Sequence, residues 1–245
     1  MRKTRFFFIL VLIFVFVRGG YGQTEDEDEK YDTEITGGIN FNTNANILGG
    51  VMGALTKRIN KHHFHYFGLE IVNVKHPKEV RVPSSSTGNL YIFQKTNHLI
   101  PIRLQYGREI VLFHPAEEEG VQVSFVAAAG PTIGILKPYM VEVDYGGYSQ
   151  IEAFDPEKRQ VVIGSAGIFS GFGLAKIVPA FNIKTSFNFK FSQFFGSVTG
   201  IEVGAMIEAY PKEMKLIAVS SAFPQPTNQK TFTSIFINVF FGSRN

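Results

Sequence analysis

Residues 176–191 read KIVPAFNIKTSFNFKF. The odd positions are Ile177, Pro179, Phe181, Ile183, Thr185, Phe187, Phe189 and Phe191. The even positions are Lys176, Val178, Ala180, Asn182, Lys184, Ser186, Asn188 and Lys190. Successive side chains of a strand point to opposite faces. The stretch therefore predicts a long strand with one apolar face and one face of amides, hydroxyls and ammonium groups.

The same period runs outward in both directions. Ile201, Val203, Ala205, Ile207 and Ala209 alternate with Glu202, Gly204, Met206, Glu208 and Tyr210. Less cleanly, Phe67, Leu69 and Ile71 alternate with Gly68 and Glu70, and Ile100, Ile102 and Leu104 with Arg103 and Gln105. Residues 33–43, 121–129 and 231–241 behave alike, and no comparable helical stripe occurs. Eight strands are expected, at about residues 33–43, 47–57, 63–74, 98–107, 120–136, 176–191, 198–210 and 230–241. The fold class is all-β, and an even strand number lets an antiparallel up-and-down sheet close. Beyond a short first connection near Asn44, the third, fifth and seventh (residues 75–97, 137–175 and 211–229) are long and the second, fourth and sixth shorter. That sorting is expected of a transmembrane barrel with long outer loops.

Alternation alone does not say which face is inside, because a soluble barrel buries its apolar face and a membrane barrel inverts the arrangement. Two features favour inversion. The polar face is rich in small and amide residues with few charges, and several strands reach the roughly nine to eleven residues a tilted membrane strand needs. Pro101, Pro131 and Pro179 fall inside strands and predict bulges or rim positions, since proline removes a ladder donor.

With 44% hydrophobic residues, 25 Phe and no Cys, the chain is too apolar for disorder and carries neither disulfides nor thiolate metal sites. Its formal charge of +3 rests on the first 22 residues, which hold Arg2, Lys3, Arg5 and Arg18 and no acid. Without them 20 basic face 21 acidic residues, a net of −1, so no global field attracts nucleic acid and no nucleic-acid partner is expected. The charged start, the apolar run 6–17 and Gly20-Tyr21-Gly22 predict a signal peptide over residues 1–22. The acidic run 25–29 predicts a solvated arm over residues 23–32, leaving 33–245 for the barrel.

The stretches 73–80 (NVKHPKEV), 134–138 (GILKP) and 200–211 (GIEVGAMIEAYP) resemble a group of small outer-membrane β-barrel proteins of Bacteroidetes-type bacteria. The resemblance covers nearly all of the chain after the signal peptide. It implies a barrel in the envelope of a double-membraned bacterium and carries over no active residues.

The polar face bears Glu34, Glu70, Arg103, Lys184, Lys190, Glu202 and Glu208. In an inverted barrel these point into an interior just wide enough to be filled by side chains, and a network of Glu70, Arg103, Lys184, Lys190, Glu202 and Glu208 is expected. A hairpin centred near Gly196 places Lys190 by Glu202 and Lys184 by Glu208, directly or diagonally. The competing reading is an ion or proton path.

Other chemistry has weaker signals. His62, His63 and His65 are of a ligand type, yet no carboxylate stands at a familiar metal spacing, and a polar turn with strand-end aromatics explains the cluster. His76, Ser84, Ser85, Ser86, His98, Asp144 and Asp155 supply the types for nucleophilic catalysis without a Gly-x-Ser-x-Gly elbow. The glycine-rich patches lack the context of a phosphate cradle. No cofactor is expected.

Three readings follow. The leading one is a non-enzymatic integral outer-membrane barrel with a side-chain-filled polar interior and long extracellular loops, in a binding or structural envelope role. Its partners are outer-membrane lipid and, through the loops, other envelope proteins. The second is a soluble periplasmic or secreted barrel holding an apolar ligand among Phe181, Phe187 and Phe189. The third is a lipid-modifying outer-membrane enzyme.

Overall fold

A computed structural model describes residues 31–45, 48–113, 120–158, 160–167, 169–192, 197–218 and 228–245. The expected signal peptide, most of the acidic arm, His114 and the hairpin centre at Gly196 lie outside these. The described residues form strands β1 (Thr33–Asn42), β2 (Leu48–Arg58), β3 (His63–Val72), β4 (Arg81–Pro83), β5 (Leu90–Ile92), β6 (Asn97–Phe113) and β7 (Val121–Pro138). Then come β8 (Met140–Asp144), β9 (Ser149–Ala153), β10 (Val161–Ser165), β11 (Lys176–Ser192), β12 (Ser197–Ala209) and β13 (Thr231–Arg244). Eight of them close into an antiparallel barrel in the order β1-β13-β12-β11-β7-β6-β3-β2.

Closure runs through nine residue pairs, from Glu34 opposite Arg244 to Asn42 opposite Phe236. The backbone N–H groups of Asp32 and Thr33 donate to the Asn245 carbonyl. Tyr31 and Asp32, assigned from sequence to the acidic arm, thus belong to the barrel body. Glycine makes the seam possible. A Cβ at Gly242 would lie 1.9 Å from the Ile35 carbonyl oxygen, and one at Gly38 would lie 2.2 Å from that of Val239.

The two faces of the sheet are sorted as an inverted barrel requires. Along β11, Phe181, Ile183, Phe187, Phe189 and Phe191 are exposed, while Asn182, Lys184, Ser186, Asn188 and Lys190 are buried. Phe187 is 46% exposed and Lys184 is 0%. Ile235, Ile237, Val239 and Phe241 continue the apolar surface on β13. The second reading needed Phe181, Phe187 and Phe189 around a cavity, and all three point outward. Hydrocarbon is the medium in which such a surface is stable and unpaired strand edges are not, which closure answers.

Two expectations need correction. β6 runs on to Phe113 instead of ending near residue 107, with Glu109 turned inward against Lys190. The long third and fifth connections contain a β4-β5 hairpin and a β10-β8-β9 sheet. Of the bulges or rim positions expected at the prolines, two are positions toward the rim and none is a bulge. Pro101 and Pro179 sit just past the last paired residues of one flanking strand, Ile71 with Ile102 and Ala209 with Phe181. Opposite Pro131 and Gly130 the β6-β7 ladder passes from Arg103 paired with Thr132 to Tyr106 paired with Ala129, with its register unchanged. There the Asn182 amide donates to the Gly130 carbonyl at 3.0 Å and to Thr132 Oγ1 at 2.9 Å.

Candidate functional site

Alternation aims one residue in two of every barrel strand at the lumen, and the charged ones among them gather into two clusters. Nearer the long loops, Lys184 Nζ lies 3.0 Å from Glu70 Oε1 and 2.9 Å from Glu202 Oε1. Arg103 bridges the next pair of carboxylates, with Nη1 3.3 Å from Glu70 Oε2 and Nε donating to Glu208 Oε2. The Tyr210 hydroxyl donates to the other oxygen of Glu208. Lys184 also sits over the Phe236 ring, 4.9 Å from its centroid, and donates to the Tyr66 hydroxyl at 3.1 Å.

Nearer the short turns, Lys190 Nζ lies 2.6 Å from both Glu34 Oε1 and Glu109 Oε1. Arg244 Nε donates to Glu34 Oε2 at 2.8 Å, and its Nη2 to Gln122 Oε1 at 3.0 Å. The two clusters hold four cations (Arg103, Lys184, Lys190 and Arg244) against five carboxylates (Glu34, Glu70, Glu109, Glu202 and Glu208). Neutral donors take up the imbalance. Glu202 accepts from Ser186 Oγ at 2.5 Å and from Asn238 Nδ2 at 2.6 Å. Asn238 Oδ1 accepts in turn from Asn40, and Asn40 Oδ1 from Asn42.

The expected hairpin partners differ from those observed. Glu202 is opposite Asn188 and Glu208 opposite Asn182, which makes them diagonal neighbours of Lys190 and Lys184. Lys190 nevertheless pairs with Glu34 and Glu109, Lys184 with Glu70 and Glu202, and Glu208 with Arg103. In a narrow barrel a long side chain meets strands across the lumen as easily as the strand beside it. Glu109 and Arg244 are members that sequence reading missed. Both continue their strands' inward parity, which was the available signal.

Between the clusters is a cavity of about 10 Å³, lined by Thr56, Tyr66, Glu109, Asn188, Lys190 and Phe240 among others. It has room for about one water molecule. Thr56 Oγ1, Glu109 Oε2 and Asn188 Oδ1 face it without a protein partner. They offer the donor and two acceptors that one bridging water satisfies. At the long-loop end Val72, Leu99, Val178, Tyr210, Met214, Leu216 and Phe232 form an apolar plug. At the other end Tyr31, Phe64 and Val111 pack together, with the Arg244 guanidinium 4.3 Å from the centroid of the Tyr31 ring.

The loop residues considered for catalysis are not brought together as a triad. Ser84 Oγ donates to the Val162 carbonyl at 2.8 Å. His76 Nδ1 accepts from the Lys78 backbone, and the His98 ring packs edge-on against Tyr139. Asp144 and Asp155 cap local turns by accepting from the N–H groups of Gly146 and Glu157. These contacts build a loop layer in which Tyr139, Val141, Val143 and Val162 form their own small core. Within that layer Lys95 is buried against Glu79, and desolvation holds its ammonium below the usual range. Of the histidine cluster, His65 Nδ1 lies 2.9 Å from the Tyr106 hydroxyl. No group of three histidine, aspartate or glutamate side chains placed to hold a metal occurs among the described residues.

No family model and no curated protein matches the chain. Among solved structures it is similar to Ail, the attachment invasion locus protein of Yersinia pestis, at 9% identity and a TM-score of 0.42, over 88% of this chain and 99% of that one. It is also similar to the same protein in complex with the heparin analogue sucrose octasulfate, at 8% identity and a TM-score of 0.36, over 88% and 99%. A third similarity is to Neisserial surface protein A, at 8% identity and a TM-score of 0.36, over 88% and 97%. The assignment of a closed eight-stranded antiparallel barrel rests on this chain's own strand pairing.

Proposed function

We propose that the chain is an exported, non-enzymatic integral outer-membrane barrel whose structured long loops form its binding face and whose interior network is a structural plug. The observation that carries this reading is the inverted polarity of the sheet, with phenylalanine and isoleucine around the outside and paired lysine, arginine and glutamate within. An internal void of about 10 Å³, with room for about one water molecule, supports a filled interior over one that holds an apolar ligand. Serine, histidine and aspartate side chains engaged in local loop contacts favour a binding surface over a hydrolytic one.

Fractionation of host cells tests the proposal. The protein is expected in the outer-membrane pool, to need detergent for extraction, and to run as a compact band that shifts on boiling. Recovery of a folded monomer from the soluble pool without detergent would overturn it. The signal peptide over residues 1–22 belongs to the same proposal, and N-terminal sequencing of the mature protein should begin near Gln23.

A further inference from the structure

The outward-facing residues of β2, β3 and β6 form rungs whose composition changes with depth. Reading away from the short turns, beyond the terminal pair His63–Ile110, the paired residues are Lys57–His65–Arg108, then Leu55–Phe67–Tyr106, then Gly53–Leu69–Leu104, then Val51–Ile71–Ile102. A basic row is followed by an aromatic row and then by aliphatic rows. That is the order met on passing from a headgroup layer through the interfacial belt into hydrocarbon.

Lys57 and Arg108 are exposed, and neither is paired with a carboxylate among the described residues. Thr33 opposite Lys57 and Ala127 opposite Arg108 bound the row, and the nearby Asp32 is engaged by Arg58 at 3.7 Å. The His65 ring is steered by the Tyr106 hydroxyl and stacks with Phe67 and Tyr106. Directly opposed side chains on neighbouring strands stand about 5 Å apart at Cβ. Two long cationic side chains flanking an imidazole can therefore converge on one tetrahedral anion. Arginine and lysine stems pack along apolar surface while their heads reach toward the polar layer.

We infer that Lys57, His65 and Arg108 form a binding site on the outer wall of the barrel for the phosphate of an anionic phospholipid in the leaflet at the short-turn end. The inference rests on the membrane reading above. The site is built from three strands by register alone. Its occupant follows from two properties of the surface: two cationic side chains without a carboxylate partner among the described residues, and an adjoining aromatic and aliphatic wall for acyl chains.

The test places the protein in nanodiscs of phosphatidylcholine containing a minor fraction of phosphatidylglycerol and counts lipids retained on release, by native mass spectrometry. The wild type should keep phosphatidylglycerol in preference to phosphatidylcholine. Lys57→Gln with Arg108→Gln should lower that preference roughly fivefold per charge removed. Lys176→Gln with Lys230→Gln, at the opposite end of the barrel, should leave it intact. The boiling-dependent gel shift verifies that each variant is folded. A wild type without preference, or a double variant that retains it, overturns the site. Displacement of the lipid by inorganic phosphate at matched ionic strength would assign the row to free phosphate and overturn the lipid occupant. A wild type that does not enter nanodiscs at all overturns the membrane reading itself, an outcome distinct from loss of selectivity.

Discussion

Lys184 is held by a neighbour and by a stranger. Glu202 lies on β12, which pairs with β11, but Glu70 lies on β3, which does not touch β11 in the sheet. A charge at 0% exposure is tolerable only while its partners are present. Replacing Lys184 with Met leaves two carboxylates short of a cation and should cost about 3–5 kcal/mol. Adding Glu202→Gln should recover part of that loss. Adding Glu208→Gln should not, because Glu208 draws on Arg103 and Tyr210. A double-mutant cycle by urea unfolding in lipid vesicles reads the difference. Coupling of Lys184 to Glu208 larger than its coupling to Glu202 would refute the observed pairing.

At the scale of elements, the seam between β1 and β13 is where the sheet becomes a barrel, and its tolerance for side chains is uneven. The added Cβ of Gly242→Val would press on backbone atoms of Ile35 and Thr36, which cannot swing away as a side-chain tip could. A cost of about 1–3 kcal/mol is expected. It should appear as a lower melting temperature and a smaller folded fraction on gels. Gly37→Ala, whose new methyl meets nothing nearer than the Met52 carbonyl at 3.9 Å, should be close to neutral. The seam also marks how much was legible beforehand. The cleanest barrel strands, 176–191 and 201–210, announce themselves by alternation, since an apolar outer face and a packed polar lumen impose period two, whereas β2 with Gly49, Gly50 and Gly53 shows it least. The five loop strands span three to five residues each and depend on remote contacts, such as the Tyr139 hydroxyl accepting from the Ile92 N–H. Local pattern carries no trace of those contacts. The ion-pair partners were hidden for a related reason, because hairpin register describes adjacent strands whereas the Lys184–Glu70 and Lys190–Glu34 pairs cross the lumen.

For the molecule as a whole, the polarity sorting makes two demands that a water-soluble protein would not meet. The plugs at both ends and the small central void predict no steady conductance steps in planar bilayers. Resolved unitary steps would show that the interior opens. The sharper demand concerns depth along one strand. Ile237 lies midway along β13, 45% exposed, between Phe41 on β1 and Val203 on β12. Ser243 is exposed near the end of the same strand. In water a lysine at either exposed position would change stability by no more than about 0.5 kcal/mol. In a bilayer Ile237→Lys puts an ammonium at the midplane and should cost about 2–4 kcal/mol, while Ser243→Lys stands near the interface and should cost about 0–1 kcal/mol. Urea titration of both variants in vesicles measures the gradient. Equal and small effects would mean that the outer wall faces water, and the outer-membrane role would fall with them.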